Sequence, residues 1–342
     1  MSSRERVLAA LNHQRPDRTP RDFWAEPPAW NRLLRHLGHH DRERVLTDLG
    51  IDLRHLEAAP PPRTRVPARS VSELLGRTLR LSTDALGPDA RRWQRRAGRR
   101  PQSGGAGSLP PGHTPDDLDR SRLAAQCRAH DDHALLYGFA DVWQRPALVR
   151  GWEEFLVDLV ERPDWVHWLC RRFTDFYIED YTRAAELTRG RIDLYLLISD
   201  LGTQHGPLIS LPMFRAFAAP YLREMITCIH GLRGRVLFHS CGSVQDFIPD
   251  LIALGVDVLD PIQPTGPAMA PEALQAAFGG RLAFHGGMDM QRLLPSGTPG
   301  EVAAEAARYC EIPGGRGGYI LGPAHLFQPD VPPENILAMY GG

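Results

Sequence analysis

The sequence predicts a (β/α)8 (TIM) barrel, and three observations carry that expectation. From Ala134 onward, apolar runs of strand length alternate with helical patterns, many of them ten or more residues long, the signature of parallel βαβ units. Polar residues able to do chemistry stand just after each apolar run, where a barrel gathers its site. No G-x-G-x-x-G follows any strand, which removes the most specific signal of a doubly wound sheet.

Taken in order, Ser2 and Glu5 form an S-x-x-E capping box ahead of Val7, Leu8 and Leu11, which share one helical face. A strand-like piece, Asp22-Phe23-Trp24, follows Pro16 and Pro20, and Trp30 to Leu37 reads as a helix ending at Gly38. Residues 58–117 lose regular pattern. Their proline run, their arginine-rich Arg91 to Arg100 and their glycine run read as a loop-rich insertion within a single domain spanning 1–342. Strands are expected at Leu135–Phe139, Ile192–Ile198, Val236–Phe238, Val256–Leu259, Leu282–Phe284 and Tyr319–Leu321. Helices are expected at Trp152–Leu159, Pro163–Leu187, Pro212–Leu232, Val244–Leu254, Pro271–Phe278, Pro299–Tyr309 and Pro333–Met339.

Composition narrows the chemistry. The chain has 342 residues and 42% hydrophobic content, enough for one large barrel, and a formal net charge of −1, which gives no electrostatic case for nucleic acid or an anionic membrane surface. The 5 cysteines are odd in number, far apart and without C-x-x-C, which suits a reducing cytoplasm better than a disulfide framework. No stretch of about 18 apolar residues offers a membrane span. There is no lysine, so all 40 basic residues are arginine. That excludes Schiff-base aldolases, pyridoxal phosphate enzymes and P-loop enzymes, which need a lysine amine.

The most informative stretch is R-V-L-F-H-S-C-G-S, Arg235 to Ser243. Alternate strand residues share a face, so His239 and Cys241 point the same way and offer zinc two ligands of the three that a catalytic site needs. A small buried thiol and a hydrogen-bonded strand-end histidine would satisfy the same letters. In a barrel, residues distant in sequence meet at one mouth: Asp22 and Trp24, Asp200 and Gln204, His239 and Cys241, Gln263, His285 and Asp289, and His325. His325, at the end of the last expected strand, is the natural third ligand. A His2Cys set leaves an open coordination position at which a thiol would ionise below its free pKa of about 8.5, the chemistry of alkyl transfer to sulfur.

Several motifs together resemble the uroporphyrinogen decarboxylase superfamily, which also contains zinc-dependent methyltransferases acting on methyl-corrinoid proteins. They are S-S-R-E-R-V-L-A-A-L-N-H-Q-R-P-D-R-T-P near the start, D-L-G-T-Q-H-G-P-L-I-S-L-P-M-F (Asp200 to Phe214), F-H-S-C-G-S-V (Phe238 to Val244), G-G-M-D-M-Q-R-L-L-P and Q-P-D-V-P-P-E-N-I-L-A-M-Y. The resemblance covers nearly the whole chain and implies a (β/α)8 barrel. Its methyltransferase branch implies metal ligation by the H-x-C pair, His239 and Cys241. The third ligand of that branch is a cysteine in P-G-C, where this chain has Pro323-Ala324-His325, and a neutral imidazole in place of a thiolate makes zinc more electron-poor.

The decarboxylase branch is similar at Ala324 to Asp330, which makes His325 its active-site histidine instead. Its substrate-holding R-Q-A-G-R loop is absent after Asp22-Phe23-Trp24, and the R-R-A-G-R of Arg95 to Arg99 falls in the insertion. The sequence thus supports first a zinc-dependent methyltransferase-like enzyme moving a methyl group to or from a thiol or corrinoid. In that reading His239, Cys241 and His325 hold metal, Asp200 and His325 act in catalysis, and Asp22, Trp24, Gln204, Gln263, His285 and Asp289 bind a small-molecule substrate. A corrinoid protein is then the candidate partner. The alternatives are a metal-free decarboxylase of a tetrapyrrole or another carboxylate, with Asp22 or Asp200 and His325 moving protons, and a corrinoid or tetrapyrrole binder without catalysis.

Overall fold

The computed structural model describes residues 1–58, 118–312 and 315–341. The expected insertion lies outside these residues beyond Ala58. Among the described residues, seven parallel strands stand in sequential order: β1 (Leu53–Leu56), β2 (Ala134–Asp141), β3 (Leu194–Ile198), β4 (Arg235–His239), β5 (Val258–Asp260), β6 (Ala283–His285) and β7 (Tyr319–Ile320).

The strand-like Asp22-Phe23-Trp24 segment closes the sheet into an α/β barrel. The amide of Asp52 donates to the Arg21 carbonyl at 2.9 Å, on the β1 side, and the amide of Asp22 donates to the Leu321 carbonyl at 2.8 Å, on the β7 side. Parallel bridges pair Arg21 with Leu321 and Ala25 with Phe327. This stave carries Asp22 and Trp24 into the barrel.

Alternation along the strands decides what fills the interior. Leu194, Leu196 and Ile198 of β3 join Leu53, Ala134, Leu136, Leu237, Val258, Ala283 and Ile320 in one buried cluster, while Tyr195 and Leu197 join the larger core beneath the helices. Burial of both faces explains why L-Y-L-L-I is apolar throughout. Val7 and Leu11 of the first helix, Ser3–Leu11, belong to the interior cluster and close it from below, and the Ser2/Glu5 capping box at that helix is formed.

Adding two residues to Leu53, Leu237, Val258 and Ala283 gives His55, His239, Asp260 and His285. The strand period therefore lays a polar layer directly on the apolar plug, at the C-terminal ends of the strands.

Most helices stand where the hydrophobic period puts them, with Pro163–Leu187 and Pro271–Phe278 reproduced end to end. The expected helix 212–232 is instead three pieces: a turn at Leu211–Met213, a π-helical turn at Phe214–Ala218 and a helix at Ala219–Gly231. Pro220 brings no N–H to the i→i−4 ladder, which favours such a local change of pitch. Strand β1 and the helices Arg42–Asp48, Leu123–Ala129 and Gln144–Arg150 were not anticipated. In β1 the polar Arg54 and His55 interrupt the apolar run.

Candidate metal centre at the barrel mouth

Strand β4 ends in His239, and Cys241 follows on the turn above it. Gly242 makes that turn possible: its φ is +84°, and a Cβ there would lie 2.6 Å from the carbonyl carbon of Gly202 and the carbonyl oxygen of Thr203. The Cys241 amide donates to Asp200 Oδ1 at 2.9 Å, and the Gly242 amide donates to Gln263 Oε1 at 2.6 Å. The turn carrying the thiol is thus tied to the ends of β3 and β5.

His325 arrives from the loop after β7. Its ring stacks on Trp24 at 6.5 Å between centroids, with 9° between planes, and stands 5.5 Å from the ring of His239. One ligand atom from each of His239, Cys241 and His325 lies within 4.8 Å of the others.

This donor set fits zinc. Zn–N and Zn–S bonds of about 2.0–2.1 and 2.3 Å in a tetrahedron hold nitrogen and sulfur about 3.5 Å apart, and His239 Nε2 lies 3.4 Å from Cys241 Sγ. The other nitrogen of His239, Nδ1, is 2.6 Å from Asp260 Oδ2, the carboxylate–histidine arrangement that fixes the tautomer and leaves Nε2 for a metal. Burial, with repulsion from His239, pushes His325 down to about 4, so its imidazole is neutral at physiological pH, as ligation requires. Burial alone would also lower His239, but Cys241 and the Asp260 carboxylate hold it well above the usual histidine range, so a metal binding at Nε2 would displace a proton there.

Behind the centre runs a buried chain of alternating carboxylates and imidazoles. Asp260 accepts from His239 on Oδ2 and from His285 Nδ1 on Oδ1, at 2.6 Å each. His285 Nε2 bonds Asp22 Oδ2 at 3.0 Å, and Asp22 Oδ1 meets His55 Nε2 at 2.9 Å. Burial opposes charge on His285, yet Asp260 and Asp22 raise it to about 10, so the ring is an imidazolium. Burial likewise opposes ionisation of Asp22 and Asp260, but the neighbouring histidines hold both well below the carboxylate range. His55 is raised too, because Asp22 outweighs its burial.

The structure brings nine of the ten expected residues into this assembly. Gln263 Nε2 donates to Gln204 Oε1 at 3.0 Å, and Asp200 Oδ2 accepts from Gln144 Nε2 at 2.9 Å. Asp289 is the exception: its Oδ1 accepts from the amide of Gln291, two residues on, at 2.7 Å. Sequence reasoning passed over Asp260, His55, Gln144 and Gln291. Asp260 carried the signal that selected Gln263, a polar residue at a strand end, while His55 was hidden with its strand.

The fold now stands beside known proteins. The sequence profile of uroporphyrinogen decarboxylase (URO-D) matches residues 143–341, more than half of the chain. The chain belongs to the uroporphyrinogen decarboxylase family. That match includes Asp200, His239, Cys241, Asp260, His285 and His325, and leaves Asp22 and His55 outside it. A solved methyltransferase from Methanosarcina mazei shares the fold, with a TM-score of 0.65 and 15% identity over 100% of this chain and 98% of that one. No curated protein sequence matches significantly. Among the described residues, no helix is long and apolar enough to cross a membrane.

Proposed function

We propose that this member of the uroporphyrinogen decarboxylase family is a zinc-dependent methyltransferase-like enzyme that moves a methyl group to or from a thiol or a corrinoid. His239, Cys241 and His325 are its metal ligands. The observation that carries the proposal is their convergence within 4.8 Å with Asp260 behind His239. With zinc bound, a thiol at the open position would ionise at neutral pH.

The chain's own residues supply the rest. Asp260 orients His239, and Asp200 and Gln263 hold the turn that presents Cys241. The stacked pair of Trp24 and His325 offers an apolar wall for the acceptor, with Gln204, bonded to Gln263, beside it. A small-molecule acceptor and a corrinoid protein as methyl donor complete the proposal, with a cytoplasmic setting that suits its free cysteines.

Decarboxylation is the weaker reading for a specific reason. Asp22, one of its two candidate carboxyl groups for proton transfer beside Asp200, is locked between His55 and His285 and is held as a carboxylate well below its ordinary pKa. Zinc-loaded protein supplied with methylcobalamin and 2-mercaptoethanol is expected to demethylate the cobalamin, followed by its absorbance, and Cys241→Ala to lower the rate by about 100-fold or more. Release of carbon dioxide from uroporphyrinogen, with no demethylation, would contradict the proposal.

A further inference from the structure

His285 touches none of the three candidate ligands, yet it occupies the middle of the chain that ends on one of them. Its ring, 4% exposed, is fixed at both nitrogens, to Asp260 Oδ1 at 2.6 Å and to Asp22 Oδ2 at 3.0 Å. It also packs so closely on Gly322 that a Cβ there would lie 3.2 Å from Cε1 and 3.4 Å from Nε2.

A carboxylate held through one oxygen keeps a soft terminal torsion, which is broad for Asp. One held through both oxygens does not. Asp260 is of the second kind, since His239 takes Oδ2 and His285 takes Oδ1. The far end is anchored as well: Asp22 Oδ2 holds His285, while Oδ1 accepts the Phe23 amide at 2.8 Å and meets His55. That fixes the strut to the stave closing the barrel.

We propose that His285 is the positioning residue of this centre, a strut bonded at both ring nitrogens that fixes the Asp260 carboxylate and, through it, the direction in which His239 presents Nε2. The inference rests on the metal reading above and deepens it by assigning a role to a residue outside the ligand set. The two nitrogens of His285 have separable duties. The Asp260 side governs the centre, whereas the Asp22 side holds the strut in place and compensates buried charge.

Two amide substitutions separate those duties. The side-chain nitrogen of asparagine has the same connectivity to the backbone as Nδ1, and that of glutamine lies as many bonds away as Nε2. His285→Asn thus keeps a donor toward Asp260, and His285→Gln keeps one toward Asp22. Zinc affinity, measured by competition with a chromogenic chelator on protein stripped and reloaded with zinc, is expected to stay within about threefold of wild type in His285→Asn and to fall about 10–100-fold in His285→Gln, the range for loss of an outer partner of a ligand.

Thermal melts of the metal-free proteins run beside this, because a merely structural role would weaken both variants alike. Equal affinity in the two variants would overturn the proposal. Failure of the wild-type protein to bind zinc would overturn the metal reading and this proposal with it. Should His285→Gln fail to fold, His285→Phe decides, since it keeps a ring in place but offers Asp260 no donor: a loss of about tenfold or more in zinc affinity supports the strut, and affinity within about threefold of wild type overturns it.

Discussion

His325→Ala is expected to weaken zinc binding at least about 100-fold, beyond what loss of an outer-shell partner costs, while leaving the barrel folded. His325 lies on the loop after β7 and packs by its ring on Trp24 and beside His239, outside the apolar plug. Its removal deletes one of the three proposed ligands and opens the site to water without unsatisfying a buried charge. Chelator competition reads the affinity, and circular dichroism with a thermal melt reads the fold. Wild-type zinc affinity in this variant would return His325 to the role of a stacked wall histidine.

Asp260→Ala carries the largest expected effect on stability. Asp260 bonds two buried histidines, so its loss leaves the His285 imidazolium half compensated and His239 Nδ1 without its acceptor. Breaking a buried pair by removing one partner costs about 3–5 kcal/mol, and that loss is expected in denaturant or thermal unfolding of the metal-free protein.

The pH dependence of stability follows from the same cluster. His285, raised to about 10, stabilises fully below its unfolded pKa of about 6.5 and loses that contribution as pH climbs through 10. Asp22 and Asp260, both depressed, stabilise fully above about pH 4 and lose the contribution as acid reaches their lowered values. The cluster is thus most stabilising between about pH 4 and 6.5. Asp260→Ala should flatten the alkaline decline, and an unfolding free energy that falls equally steeply in both proteins above about pH 6.5 would contradict the assigned bonds.

The pattern of residues made the barrel legible because burial on both faces leaves β3 and β4 as apolar runs and gives the covering helices a 3.6-residue period. It failed where polarity entered a strand. Arg54 and His55 disguised β1, and the break at Phe214–Ala218 depends on one proline whose effect on pitch is local. The centre was legible where it obeyed a short spacing, as in His239 and Cys241, or a topological rule, as in His325.

The supporting chain was not legible as a chain. Asp22, Asp260 and His285 come from three different staves, and no spacing in sequence says that one carboxylate oxygen will meet each of two histidines. Only the register that places His239 opposite Asp260, together with the closure of the barrel by the Asp22 stave, brings them together.

The central claim is that His239, Cys241 and His325 form a zinc site. The most direct measurement is the zinc content of the purified protein by elemental analysis after dialysis against trace zinc, beside Cys241→Ala handled identically. The account predicts about one zinc per chain in the wild-type protein, as for a site with three protein ligands and one open position, and close to none in the variant. Negligible zinc in both, or equal zinc in both, would contradict it.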